Sequence, residues 1–137
     1  IYRTLLAENV TIPETEIVGE FKRYNIRTSI FLNPELKFIE NLHKIGTDRI
    51  ELYTEDYAIN YKKGNYTAID PYVDCAKLLN QLDIGVNAGH DLSLENIEFF
   101  KKKINNLLEV SIGHALITES LILGLEPVIK SYLQKLS

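Results

Sequence analysis

Two histidines each follow a glycine directly after a short aliphatic run. His90 lies in the segment NAGHD at residues 87–91, and His114 lies in SIGHA at residues 111–115. Imidazole is well matched to proton transfer near neutral pH, and a neighbouring glycine lets a ligand approach the backbone. A loop histidine that helps to cap the next helix would explain one such pair. Two pairs after consecutive runs are much less expected by chance, and together they favour a site of acid–base chemistry.

A third candidate residue, Glu51, lies in the middle of the run RIELY at residues 49–53. A carboxylate in a buried strand has to point into a polar interior, because burial without a partner costs much of its hydration energy. An edge strand, with Glu51 in water or paired with Arg49, is an equally good interpretation. Near His114, a helix that starts after Gly113 would direct free N–H groups at an anion such as phosphate.

Four short apolar runs are predicted to be the strands that position these side chains. They lie at residues 28–32, 49–53, 84–88 and 108–112. Helices are predicted over 13–24, from Asn33 to Gly46, from Asp70, after a cap at Ser93, over 115–123 and from Glu126. This alternation is typical of parallel strands joined by crossover helices.

Four such units make half of a (β/α)₈ (TIM) barrel, whose full length is typically about 250 residues. A doubly wound sheet is the alternative, but it usually has a glycine-rich loop after its first strand, where this sequence has Asn33-Pro34-Glu35. We therefore expect a single α/β domain over residues 1–137 that forms half of a TIM barrel. The catalytic residues of such barrels lie at the carboxyl ends of the strands, where His90 and Gly113 stand.

The other polar and aromatic features are less specific. Residues 54–69 are long for a connection and contain Tyr57, Tyr61 and Tyr66, so a lid, a partner surface and ordinary packing all remain open. His43, late in a predicted helix, is interpreted as a surface residue, and Cys75 as a small core residue. The lysines at 101–103 are expected to be a solvated helix end.

Composition and charge exclude several classes of function. The 137 residues, 45% hydrophobic and 25% charged, have the balance of a soluble globular protein, and no apolar run reaches the ~20 residues of a membrane span. A net charge of −4 with one short basic run argues against nucleic-acid binding, and no metal-ligand spacing occurs.

The single cysteine and the lack of a secretory signal favour the cytoplasm. Because the sequence contains no Met, we expect it to be part of a longer product.

At these motifs the sequence resembles the carboxyl-terminal half of the pyridoxine 5′-phosphate synthase family. The similar segments, in the family's order, are TSIFLNP at 28–34, RIELYT at 49–54, VNAGHDL at 86–92 and VSIGHALI at 110–117. The resemblance covers residues 14–136, and residues 1–12 show no match. It implies a TIM-barrel enzyme, without a cofactor or metal, that condenses 3-amino-2-oxopropyl phosphate with 1-deoxy-D-xylulose 5-phosphate. The products would be pyridoxine 5′-phosphate, phosphate and water.

The resemblance also implies a role for each candidate residue. His90 would be the proton donor, Glu51 would stabilise a cationic transition state, and Gly113 and His114 would bind the amino-ketone phosphate. Asp91 would belong to the same phosphate site, although the family often has Gly there, so we expect any contact to come from its backbone N–H. The family strand often reads His-Thr-Gly where this sequence has residues 53–55, YTE, so the following loop is expected to differ.

The family's remaining catalytic and substrate-holding residues belong to the first four strands of the barrel, so this half alone is expected to be inactive. Members form octamers, which implies a homo-oligomer here. Two other interpretations remain open: another phosphate-binding barrel isomerase or aldolase, and a non-catalytic half-barrel. An aldolase would be favoured by a lysine at a strand end, and none of the four predicted strands ends in one.

Overall fold

The computed structural model describes residues 14–40 and 42–137, without the side chain of His43. The predictions for His43 and for a helix that begins at Pro13 lie outside the described residues. One sheet has the order β1-β2-β3-β4, and every neighbouring pair is parallel. The strands are β1 Ser29–Leu32, β2 Arg49–Tyr53, β3 Gly85–Gly89 and β4 Leu107–Ser111. The four predicted strands are therefore confirmed.

Helices connect the successive strands, as the alternating pattern predicts. They are α1 Glu14–Arg23, α2 Leu36–Ile39, α3 Glu55–Lys62, α4 Asp70–Gln81, α5 Ile97–Lys103, α6 His114–Leu123 and α7 Leu125–Leu136, with 3₁₀ helices at Leu42–Lys44 and Tyr66–Ile69. Parallel strands in sequential order with helices between them are the arrangement of half a TIM barrel, as predicted. Within the described residues, no helix is long and apolar enough to cross a bilayer.

The two faces of the sheet differ in chemistry because successive side chains of a strand point to opposite sides. One face is apolar and packs under the helices, with Ile30, Leu32, Ile50, Leu52, Val86 and Ala88 in the main core cluster. Cys75 of α4 belongs to the same cluster, and burial raises the pKa of its thiol to about 11, which confirms it as a core residue. The opposite face carries Ser29, Phe31, Arg49, Glu51, Tyr53, Asn87 and Glu109.

The segment after β2 is mostly helical, and its interpretation as one long loop is wrong. Residues 55–62 form α3, with two acidic residues in its first turn, and a 3₁₀ helix leads directly into α4. Tyr57 is fully buried and its hydroxyl donates to the Asn96 carbonyl at 2.7 Å, so ordinary packing explains this tyrosine. Tyr57 is the one buried residue of α3, so the helix has no apolar stripe. Its sequence therefore lacks the periodic pattern by which an amphipathic helix is predicted.

Two predicted helix starts also need correction. The helix expected from Asn33 to Gly46 is a four-residue α2 and a separate 3₁₀ helix, and Glu35, not Asn33, precedes α2. Apolar residues spaced three apart, which suggested an α-helix, fit a 3₁₀ helix equally well. The helix expected after Ser93 begins at Ile97, because Ser93 and Asn96 form a turn in which the Ser93 N–H donates to Asn96 Oδ1 at 2.9 Å. The Asp70 start and the end of α6 before Gly124 are as predicted.

Candidate active site

Glu51 lies at the centre of the polar face, in a strand with a neighbour on each side. Its partners in register are Phe31 of β1 and Asn87 of β3. The residue is only 6% exposed, so the alternative of an edge strand with Glu51 in water is wrong. Arg49 pairs instead with Glu109 across the sheet, at 3.0 Å.

The Glu51 carboxylate occupies the space that the absent side chain of Gly89 leaves open. A Cβ at Gly89 would overlap Glu51 Oε1 and would lie 3.0 Å from the Ser111 Cβ. A residue without a side chain is therefore needed at position 89, where β2, β3 and β4 approach closely. The Glu51 carboxylate occupies the free space beside it. Ligand approach to the backbone at Gly89 stays a prediction, and the structure adds that this glycine accommodates Glu51.

His90 follows β3 immediately and lies beside the aromatic residues of the same face. Its ring centroid is 4.8 Å from that of Phe31 and 5.3 Å from that of Tyr53. The residue is nonetheless exposed, so the imidazole is accessible to a substrate from the carboxyl end of the sheet. Glu51 thus lies at the middle of β2, and its carboxylate lies against Gly89, the residue directly before His90.

The backbone of His90 and Asp91 has an uncommon conformation. Both residues have positive φ, 73° and 59°, a region that non-glycine residues rarely adopt. Such conformations persist only where the surrounding structure enforces them. Here the His90 N–H donates to the Ser111 carbonyl at 3.4 Å, and the Asn96 side-chain amide donates to the Asp91 carbonyl at 3.1 Å.

Gly113 and His114 lie at the next strand end, as predicted. β4 ends at Ser111, α6 begins at His114, and Gly113 occupies the cap position. A Cβ on Gly113 would meet no atom within 4 Å, and both residues are exposed, so the space beside this helix start is open. The first N–H groups of a helix have no intrahelical partner, and they are favourable ligands for an anion. The bond from His90 to Ser111 joins this loop to the histidine loop.

Tyr53 and Glu55 form a pair that the sequence argument missed. The Tyr53 hydroxyl donates to the Glu55 carboxylate, and this bond is the main reason why the pKa of Tyr53 rises to about 12. Since Tyr53 also contacts the His90 ring, the pair borders the candidate site. The signal was present in the YTE segment, where the sequence departs from the family's usual His-Thr-Gly.

An ionic network runs from the amino end of the polar face to its middle, where Asn87 and Glu109 share the register row of Glu51. The two guanidinium nitrogens of Arg27 donate to the Glu109 carboxylate at 2.9 and 3.1 Å, and Arg49 donates to Asn87 Oδ1 at 3.2 Å. Burial raises the pKa of Glu109, but Arg27 and Arg49 outweigh it, so the pKa lies below its ordinary value. The described residues hold no group of three His, Cys, Asp or Glu side chains that could bind a metal ion.

The fold and the polar carboxyl edge together define an α/β chain of the TIM-barrel class. The model of the family described as pyridoxal phosphate biosynthesis protein PdxJ matches residues 8–137, and the chain belongs to this family. The match includes residues 8–12, so the expectation that residues 1–12 show no match is wrong for that part.

Curated relatives carry the name pyridoxine 5′-phosphate synthase. The protein from Flavobacterium johnsoniae is 61% identical over 121 residues, which are 88% of this chain and 51% of the relative. The protein from Christiangramia forsetii is 55% identical over the same coverage, and one from Bacteroides fragilis is 52% identical over 118 residues, 86% of this chain and 50% of the relative. The chain thus spans about half the length of the curated relatives it matches.

Proposed function

We propose that this chain supplies the carboxyl-terminal half of the active site of a pyridoxine 5′-phosphate synthase. The enzyme would condense 3-amino-2-oxopropyl phosphate with 1-deoxy-D-xylulose 5-phosphate to give pyridoxine 5′-phosphate, phosphate and water. Family membership supports this function, and one observation in the structure carries it. The carboxylate of Glu51, at the middle of β2, lies against Gly89 at the end of the adjacent strand, directly before His90, and an open helix start lies one strand further on.

The chemistry of the condensation explains why these two groups are suited to the site. An amine and a ketone join with loss of water, and water leaves readily only after its oxygen has received a proton, so a proton donor is required. We assign this donor to His90, which is exposed at the edge. The protonated carbon–nitrogen double bond carries positive charge, and a fixed carboxylate beside it lowers the energy of that cation. Register pairing with Phe31 and Asn87 fixes the backbone of Glu51, and the open side of Gly89 accommodates its carboxylate.

The phosphate of the amino ketone would lie at the start of α6. Gly113 leaves open space there, and the N–H groups around His114 would bind the phosphate oxygens with favourable electrostatics from the helix. Asp91 would contribute through its backbone N–H, because its carboxylate would repel an anion. We further propose that the complete enzyme needs no cofactor or metal and that the other half of its barrel provides the remaining catalytic groups. The complete enzyme would be a homo-oligomer and would act in the cytoplasm.

The proton-donor role is tested with His90→Asn in the full-length protein. Asparagine tolerates positive φ better than most residues, so the backbone is kept while the imidazole is lost. We expect turnover at saturating substrate to fall by ~10²–10⁴, the usual contribution of a general acid. Glu51→Gln, which keeps the shape and removes the charge, should also reduce turnover.

A matched control is Asn106→Ala, because Asn106 also has positive φ and lies after α5, away from the polar face. Its turnover should equal that of the parent even if its stability decreases. Unchanged turnover in His90→Asn would remove His90 from the mechanism, and equal losses in both variants would show that damage to left-handed turns explains the effect.

A further inference from the structure

We propose that Thr54 is a positioning residue that fixes the orientation of His90, an inference that rests on the proposed function. Thr54 follows β2 and precedes α3, and its side chain is completely buried, with 0% exposure. It lies next to the loop that carries His90, although 36 positions separate the two residues in the sequence.

Thr54 binds the backbone of the histidine loop at two consecutive carbonyls. Its N–H donates to the Gly89 carbonyl at 2.9 Å, and its hydroxyl oxygen lies 2.7 Å from the same carbonyl oxygen. The hydroxyl is also within hydrogen-bond distance of the His90 carbonyl. A hydroxyl has one hydrogen, so it is shared between these acceptors or alternates between them.

These bonds act on the two peptide groups that set the direction of the imidazole. The Gly89 carbonyl lies just before His90 and the His90 carbonyl just after it, so Thr54 holds the residue from both sides. His90 and Asp91 have positive φ, which needs enforcement by surrounding contacts. The rings of Phe31 and Tyr53 contact the imidazole itself, whereas Thr54 fixes the backbone from which it projects.

Thr54 is itself held in place, so it can transmit rigidity from the sheet to the loop. Its own carbonyl accepts a bond from the Ala58 N–H at 2.9 Å in the first turn of α3. The Tyr72 hydroxyl donates to the Tyr53 carbonyl, one residue earlier, at 2.8 Å. The end of β2 is therefore anchored by two helices, and the Thr54 hydroxyl extends this anchorage to His90.

The test compares Thr54→Val with Thr54→Ser in the full-length protein. Valine keeps the shape and the backbone N–H but removes the hydroxyl, and we expect kcat to fall by ~10–100-fold, the effect of a slightly misplaced catalytic group. The KM for each substrate should change less than kcat, because Thr54 bonds to the Gly89 and His90 carbonyls and not to the start of α6, where Gly113 and His114 would bind the phosphate. Serine restores the hydroxyl and should bring kcat close to that of the parent.

A double-mutant cycle with His90→Asn separates this inference from the proposed function. If Thr54 acts through His90, Thr54→Val should cause no further loss of kcat in the His90→Asn background. The same fold loss in both backgrounds would overturn the positioning role while leaving the proton-donor role intact. A His90→Asn variant with full activity would instead overturn the proposed function.

Thr47→Val is the matched control for loss of a buried threonine hydroxyl. Thr47 lies just before β2, is also buried, and its hydroxyl donates to the Arg49 carbonyl at 3.1 Å, at the opposite end of the strand. We expect it to lower the thermal midpoint to a similar extent without changing kcat. A comparable fall of kcat in Thr47→Val, or a failure of Thr54→Ser to restore kcat, would contradict the proposal.

Discussion

Gly89→Ala is the most direct test of the packing that seats Glu51. The added Cβ would overlap Glu51 Oε1, and it would lie 3.1 Å from Glu51 Cδ and 3.0 Å from the Ser111 Cβ. The carboxylate can move because it ends a flexible side chain, but the Ser111 Cβ is fixed to the neighbouring strand. One methyl group therefore displaces the proposed stabilising carboxylate and strains the contact between β3 and β4.

The magnitude follows from two opposing effects. Adding a carbon to a close-packed site costs ~1–3 kcal/mol, and replacing Gly by Ala within a strand returns ~0.5–1 kcal/mol of backbone entropy. We therefore expect a net loss of about 1 kcal/mol, and at most ~2.5 kcal/mol, in the free energy of unfolding. Turnover should fall by ~10–100-fold, because the carboxylate moves by a substantial fraction of an ångström.

The assay combines urea unfolding of the full-length protein, at one fixed concentration, with turnover at saturating substrate. Gly19→Ala is the control: Gly19 lies in α1, and a Cβ there would meet nothing within 4 Å. It should raise stability by ~0.5–1 kcal/mol and leave turnover unchanged. If Gly89→Ala has the stability and turnover of the parent, the proposed seat of Glu51 is wrong.

Three further predictions concern the phosphate site, the ionic network and the sheet edges. Gly113→Val should raise the KM for the amino-ketone phosphate more than the KM for the pentulose phosphate. Stability should not fall, since the space at Gly113 is open. An equal rise of both KM values would contradict the proposed phosphate site. Burial raises the pKa of Glu109, but Arg27 and Arg49 outweigh this effect and hold the pKa below its ordinary value of 4.5. The paired carboxylate therefore stabilises the fold above pH 4.5, and this stabilisation is lost as the pH falls through the lowered pKa. The stability difference between the parent and Glu109→Gln should therefore shrink in acid urea titrations, and a constant difference would refute the ionic role. The isolated 137-residue chain should self-associate in sedimentation experiments, because β1 and β4 each have one strand neighbour in the described sheet; a cooperative, monodisperse monomer would contradict this.

The strands were predictable because a strand buried under helices has to be apolar over most of its length. The run RIELY coincides with β2, and Glu51 stood out as a carboxylate at its centre. His90 and Gly113 were predictable as neighbours for a related reason: parallel strands bring their carboxyl ends to one edge. The sequence left open whether Glu51 is buried or in water. An interior strand and an edge strand can have the same sequence and differ only in the number of neighbouring strands.

The missed features depend on contacts between distant parts of the chain. Arg27 and Glu109 are 82 residues apart, and Thr54 and Gly89 are 35 apart, so no local spacing reveals either contact. Helix α3 was missed because it has one buried residue, Tyr57, and no apolar stripe. Sequence periodicity reports local amphipathicity, and it is silent where tertiary contacts decide the structure.

We propose that the carboxyl edge of this sheet takes part in making pyridoxine 5′-phosphate. This proposal is tested by incubating the purified full-length protein with 3-amino-2-oxopropyl phosphate and 1-deoxy-D-xylulose 5-phosphate, and by quantifying pyridoxine 5′-phosphate and released phosphate together. We predict equal amounts of the two products, no product when either substrate is omitted, and a loss of both products in parallel in His90→Asn. Absence of pyridoxine 5′-phosphate with a folded protein and both substrates present would refute the proposed function, and equal formation by His90→Asn would remove His90 from the mechanism.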